Sequence, residues 1–203
     1  MKNPEQTTWH RFLLWFMAWQ SRRAAETINR VAPTGKILEV GCGFGWLSNG
    51  LVKMQRNVVK TDHQPTTPDV LDVDIHDMPF PDQSFDLVVC SNTIEHLKSP
   101  QIAIKEMRRV GRRLWLSWTP WWGLFGGHGF APLHYFGVTK GNGSELGVNL
   151  YKTTVAETLR QLNDAGWKVD HIRPRYWPCL GFLARWRWTR EWATWNVEIV
   201  CST

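Results

Sequence analysis

The residues with the clearest chemical potential are the acid and three glycines of Glu39-Val-Gly-Cys-Gly-Phe-Gly45, which follow a short apolar run and open a helical pattern. Glycines at Gly41, Gly43 and Gly45 let the backbone turn sharply and approach a ligand closely, with the N–H groups of the following helix facing it. A dinucleotide-binding GxGxxG pattern would need glycine where Trp46 stands, so the pattern here is GxGxG. Glu39, two residues before the first glycine, would repel a pyrophosphate but can pair with an ammonium. The loop therefore suits a cationic amino-acid cofactor better than NAD. Asp62 closes the next apolar run, 21 residues after Gly41, where a carboxylate can accept both hydroxyls of a ribose. Nicotinamide and other nucleoside cofactors share that contact, so Asp62 alone does not discriminate.

Four histidines are candidates for proton transfer. His63 follows Asp62 and flanks the same ligand. His96 lies in Glu95-His96, at the expected start of a helix, where it is either a base or a helix-start hydrogen-bonding residue. His128 and His134 lie in Trp121–Phe136, a stretch rich in glycine and aromatics that can form a mobile wall around an apolar pocket. A histidine inside such a wall must bond to something, either a ligand or the loop's own backbone. Cys42, Cys90, Cys179 and Cys201 form no CxxC pair, so neither a zinc site nor a disulfide framework is expected. Buried thiols in a reducing cytoplasm are the expectation instead.

The elements that must position these groups alternate. A helix is predicted over Thr8–Val31, packing on a sheet or lying on a membrane surface. Strands are predicted at Lys36–Val40, Val58–Thr61, Val70–Ile75, Phe85–Cys90 and Leu114–Trp118, with helices from Trp46 to about Gln55 and from about Pro100 to Val110. A helix at Thr153–Ala165 and strands at Trp167–Ile172 and Asn196–Cys201 complete the order. Such alternation predicts a Rossmann-like α/β sandwich of three layers around a seven-stranded, mostly parallel sheet, the last strand antiparallel. The 203 residues fit a single domain, with segments 120–150 and 173–195 inserted to cover an acceptor site.

The apolar run Phe12–Trp19 precedes Arg22-Arg23, the reverse of a signal peptide, and no run is long enough to span a bilayer. Charge is uneven: residues 1–100 carry 10 Lys/Arg and 11 Asp/Glu, residues 101–203 carry 14 and 7. Ten of the 14 tryptophans also lie in the second half. Five arginines and four tryptophans fall between Arg173 and Trp192 with a single acid, Glu191. That segment is either an amphipathic cover on the sheet or a patch facing a membrane or a phosphorylated glycan. Nucleic acid is disfavoured, because no RNA-binding signature accompanies it.

Glu39–Gly45, Asp62, Asp74-Ile-His-Asp-Met-Pro-Phe80, Pro81–Asp86 and Asn92-Thr-Ile-Glu-His96 resemble, in order, the motifs of class I S-adenosylmethionine-dependent methyltransferases, nearest to the small-molecule and lipid-precursor branch. The resemblance spans about residues 34–119. It implies S-adenosylmethionine as cofactor. Glu39 and the glycine loop would hold its methionine end, Asp62 its ribose, and Asp74 with Ile75 its adenine. Ser91 and Asn92 would line the methionine and acceptor mouth. Ser91 and Asn92 stand where a metal-binding version would need acids, so no metal is expected. Gly126-Gly-His128, His134-Tyr135, Arg173–Pro178 and Thr194–Asn196 also look similar to a branch of uncharacterised bacterial methyltransferases. In this reading His96, His128 and His134 are the catalytic candidates, the acceptor is a small molecule, sugar or lipid-linked glycan, and the enzyme is cytoplasmic with a peripheral membrane contact through 173–192. The alternatives are an RNA or protein methyltransferase, or a cofactor-binding module without catalysis. Against the first, Ser91-Asn-Thr93 lacks the Asn/Asp-Pro-Pro-Tyr/Phe tetrapeptide of amino-group methylators.

Overall fold

A computed structural model describes residues 8–123, 136, 151–176, 186, 189, 191 and 193–203, with the backbone alone for 8–14, 16, 17 and 176. The elements are α1 (Thr8–Val31), β1 (Lys36–Val40), α2 (Trp46–Lys53), β2 (Asn57–Asp62), β3 (Leu71–Asp72), β4 (Leu87–Ser91), a single 3₁₀ turn (Ile94–His96), α3 (Pro100–Val110), β5 (Arg113–Trp118), α4 (Val155–Asp164), β6 (Lys168–Tyr176) and β7 (Thr194–Ser202). They form a seven-stranded sheet in the order β3-β2-β1-β4-β5-β7-β6. β7 runs antiparallel between β5 and β6, and the other described pairings are parallel. The chain leaves β1 toward one edge and returns through β4 toward the other. A crevice therefore opens at the carboxyl ends of β1 and β4, the place where such sheets bind ligands.

Strand alternation sorts the core into two layers. Leu38, Val40, Val88, Cys90, Leu114, Leu116, Trp118, Val197 and Ile199 face α3 and α4, and pack on Ile104, Met107 and Leu162. Ile37, Leu87, Val89, Trp115 and Val200 face the other way, onto Ala24, Ala25 and Ile28 of α1 and Leu47 and Leu51 of α2. α1 is thus a packing helix in its second half. It meets α2 so closely that a Cβ on Gly50 would stand 3.2 Å from that of Ala25. Trp115, Trp118, Trp121 and Trp167 are all buried, so part of the tryptophan excess is core.

Several boundaries differ from the sequence expectation. The third strand shrinks from Val70–Ile75 to Leu71–Asp72, because Asp74 accepts the His76 N–H at 2.9 Å and turns the chain. Val70, Val73 and Ile75 still point into the core. α2 stops at Lys53, and β4 begins at Leu87, with Phe85 making only a lone bridge to Gly111. β6 runs on to Tyr176 through Pro174, so the second insertion cannot begin at Arg173. An edge strand tolerates proline because one side of it needs no ladder bond, and β6 is the edge. His96 belongs to the 3₁₀ turn, four residues ahead of α3. Most of the 120–150 and 177–192 segments lie outside the described residues.

Candidate functional site

Gly41, Gly43 and Gly45 all adopt left-handed backbone, with φ of 65°, 52° and 68°, a region in which only glycine sits without strain. Their surroundings differ. A Cβ on Gly41 would stand 2.4 Å from Thr93 Cγ2, so the loop there is pressed against the turn after β4. A Cβ on Gly43 would meet nothing within 4 Å, so the middle of the loop is bare backbone facing open space. Phe44 is 64% exposed and stacks on Trp46 with ring centroids 5.5 Å apart, an aromatic lip beside that space.

Glu39 is sealed beneath the loop, 2% exposed, with the Ser48 hydroxyl of α2 donating to its carboxylate. Burial pushes its carboxyl up to about 7, against the Ser48 hydrogen bond and the Lys60 charge. An acid tuned to neutrality gains most from a cation brought alongside it. At the end of β2, Asp62 Oδ2 accepts the Gly43 N–H at 2.7 Å and Oδ1 accepts the Gln64 N–H at 2.9 Å. Each oxygen keeps a further lone pair for a ligand hydroxyl. Asp62 thus sets the loop and is available to a ligand at once. A bare glycine backbone, a buried acid and a half-buried ribose-type acid together fit a ligand with an ammonium end and a nucleoside end.

His63 is exposed, 3.9 Å from Asp72. Asp74 is also exposed, and the His76 backbone and ring hold its carboxyl below the usual range, with His76 Nδ1 at 2.7 Å from Oδ1. Ile75 buries its side chain in the core. The stretch that carries them is clamped from α3: Arg109 donates to the carbonyls of Met78 and Phe80, both at 2.7 Å, and Glu106 accepts the Met78 N–H at 3.1 Å.

On the α1 side of the sheet, the apolar surface turns polar toward the carboxyl ends. Ser91 Oγ lies 3.1 Å from Ser117 Oγ. Asn92, left-handed at φ 50°, accepts from Asn196 Nδ2 at 3.0 Å. Beyond them Arg175 of β6 pairs with Glu198 of β7 and lies 5.7 Å from the Trp195 ring centre. These groups and the second half of α1 line a small, partly open pocket of about 30 Å³. Glu198 is only 4% exposed, and the arginine is the partner that offsets the cost of burying it. Sequence reasoning missed this pair. The signal was an acid on the apolar strand Asn196–Cys201, in register with the Arg173–Arg175 segment.

Glu95 is buried as well, and burial pushes its carboxyl up to about 8. The neighbouring His96 is half-buried, its N–H accepted by Thr93 O at 2.9 Å. The structure brings Glu39, the glycines, Asp62, Ser91 and Asn92 to one crevice, with His96 one turn past Asn92. His128 and His134 lie outside the described residues, as does Cys179. Cys42, Cys90 and Cys201 are free and buried, and burial raises all three thiols, Cys42 and Cys201 to about 12. Among the described residues no three His, Cys, Asp or Glu side chains converge to hold a metal, and no helix is long and apolar enough to cross a membrane.

Comparison with known proteins finds methyltransferases by sequence and by fold. A family described as a methyltransferase domain matches residues 38–113. An uncharacterized methyltransferase of Mycobacteroides abscessus is 34% identical over 125 residues, covering 55% of this chain and 46% of the relative. The chain thus spans about half the length of such relatives. Among solved structures, a possible histamine N-methyltransferase of Thermotoga maritima superimposes with a TM-score of 0.62 at 16% identity, covering 95% of this chain and 96% of that one. The 1,6-didemethyltoxoflavin-N1-methyltransferase of Burkholderia thailandensis, solved with its acceptor and S-adenosylhomocysteine, gives 0.62 at 11% identity, covering 94% and 80%. At these identities the likeness is one of fold. The matched residues begin in the strand that leads into the glycine loop and end where β5 starts, so this stretch is similar to a methyltransferase domain and the chain has the fold of solved S-adenosylmethionine-dependent methyltransferases.

Proposed function

We propose that the protein transfers a methyl group from S-adenosylmethionine to a small-molecule, sugar or lipid-linked acceptor. The observation that carries this reading is the bare backbone over Gly43, flanked by Glu39 and Asp62. Glu39 and the glycine loop hold the methionine end, Asp62 accepts from the ribose hydroxyls, and Asp74 and Ile75 border the adenine, with His63 alongside. Ser91 and Asn92 line the passage from the methionine end to the acceptor pocket. When bound, the cofactor supplies an electrophilic methyl group and its own leaving group, so the chain's task is to position two reactants and exclude water.

A base is needed only for an acceptor that must lose a proton. His96, beside the mouth, and His128 and His134 of the 120–150 segment are the residues for that role. Three free buried thiols suit a reducing cytoplasm, with the Arg/Trp segment 173–192 as a peripheral membrane contact. The test is a screen of metabolites and lipid-linked sugars with methyl-labelled cofactor. Label in at least one acceptor, lost in Asp62→Ala, is the expected result. Tight cofactor binding with no acceptor labelled would overturn catalysis and leave a binding module.

A further inference from the structure

The acceptor pocket does not end at Arg175. That residue also lines a second, open groove between α1 and β6, with Arg23 and Arg30 on one side, Arg173 on the other, and Glu26. The four arginines meet for geometric reasons. Arg23 and Arg30 are two helical turns apart on one face of α1, and Arg173 and Arg175 alternate onto one face of β6. Arg175 is neutralised by Glu198, and Glu26 lies 3.4 Å from Arg22. Arg23 lies over the Trp19 ring at 5.2 Å, and Arg30 Nε donates to the Glu26 carbonyl at 3.3 Å. Among the described residues, Arg23, Arg30 and Arg173 have no carboxylate partner. Three unneutralised guanidinium groups lining one groove repel one another unless an anion lies between them, and their planar forks match phosphate oxygens.

We propose that this groove binds a phosphate or pyrophosphate group of the acceptor, so that the nucleophile it carries enters the adjoining pocket beside Ser91, Asn92 and Asn196. The second half of this statement rests on the methyltransferase reading; the anion site does not. The groove meets the small pocket beside Ser91, Asn92 and Asn196 at Arg175, which lines both, and no RNA-binding signature accompanies the arginines, which suits a compact anchored molecule better than a nucleic-acid strand. The phosphate can belong to a soluble metabolite or to a lipid headgroup.

Phosphorus NMR titration with inorganic pyrophosphate, and flotation with phosphatidylcholine vesicles with or without phosphatidylglycerol, separate the two sources. Wild type is expected to bind at least one of these probes. The double variant Arg23→Ala/Arg173→Ala should bind it about tenfold more weakly or worse, while Arg22→Ala, an exposed arginine of the same helix outside the groove, should bind as wild type does. Pyrophosphate binding identifies a soluble acceptor, and binding only to phosphatidylglycerol vesicles identifies a lipid-borne one. No binding of either probe, or binding indifferent to the double substitution, overturns the proposal. A single-stranded oligonucleotide bound more tightly than both probes through the same arginines also overturns it. Calorimetry with S-adenosylmethionine on the same samples keeps the two readings apart. Unchanged cofactor affinity in the double variant is expected, and a wild type that binds pyrophosphate but not the cofactor contradicts the methyltransferase reading alone.

Discussion

On the β1–β2 side of the crevice the proposed binding groups are largely backbone and come from one stretch, Glu39 to Asp62. On the β5–β7–β6 side they are side chains gathered from α1, the end of β4 and the last two strands; Asn92 and Asn196, hydrogen-bonded to each other, are 104 residues apart. The first side is fixed by conformations that only glycine tolerates and by one acid that ties the loop to the neighbouring strand. The second is fixed by pairs such as Arg175–Glu198 and, under the proposed function, can change its residues without touching the cofactor. Under that proposal the fold keeps one ligand and exchanges the other.

The sharpest way to break that comparison is to fill the loop. Gly41→Ala forces a side chain into left-handed backbone, at about 1–2 kcal/mol, and into Thr93. Cofactor affinity should fall by more than about a hundredfold, with an earlier denaturant midpoint. Gly43→Ala carries the backbone cost without the clash, so it should weaken the cofactor about tenfold and leave stability nearer wild type. Equal stability losses in the two would show that the open space over Gly43 is not what distinguishes them.

Asp62→Ala removes two backbone hydrogen bonds as well as the proposed ribose contacts. It should lower cofactor affinity by about one to two orders of magnitude in calorimetry, since each charge-assisted bond contributes about 1.5–3 kcal/mol.

Glu39 gives a pH dependence whose sign is fixed. Its carboxyl is raised to about 7 in the free protein, and only the ionised form pairs with an ammonium. Cofactor affinity should therefore rise as pH increases through about 7 and level off above it. The fold itself responds the other way. A carboxyl raised above its unfolded value contributes stability below that value, which is lost as pH climbs from about 4.5 to 7. Glu39→Gln should flatten both profiles.

The smallest effect is expected on the acceptor side. Asn196→Ala removes the bond to Asn92 and about 1 kcal/mol of stability, yet should change cofactor affinity less than about threefold. A larger change would mean that the two sides are coupled.

The same contrast decides what could be read from the chain. β1, β4 and β5 announce themselves as apolar runs, the glycine loop by its spacing, and α3 by Pro100 at its start. Asp74 and His76 turn the chain where a strand was expected, a competition between side-chain bonds and ladder bonds that periodicity does not register. Arg173-Pro-Arg175 reads as the start of an insertion because proline suggests a break. Only the knowledge that β6 is an edge makes it a strand. The basic charge is also misleading as a map. The first hundred residues are nearly neutral and the remainder carries the excess, yet Arg23 and Arg30 of the groove come from the neutral half. What gathers the arginines is packing of α1 beside β6, a tertiary fact.

The central claim is that Glu39, the glycine loop and Asp62 form a site for S-adenosylmethionine. Calorimetric titration of the wild type with that cofactor on either side of neutral pH tests it most directly. The account predicts saturable one-site binding, tighter on the alkaline side, with that preference gone in Glu39→Gln. Absence of binding at both pH values would contradict it.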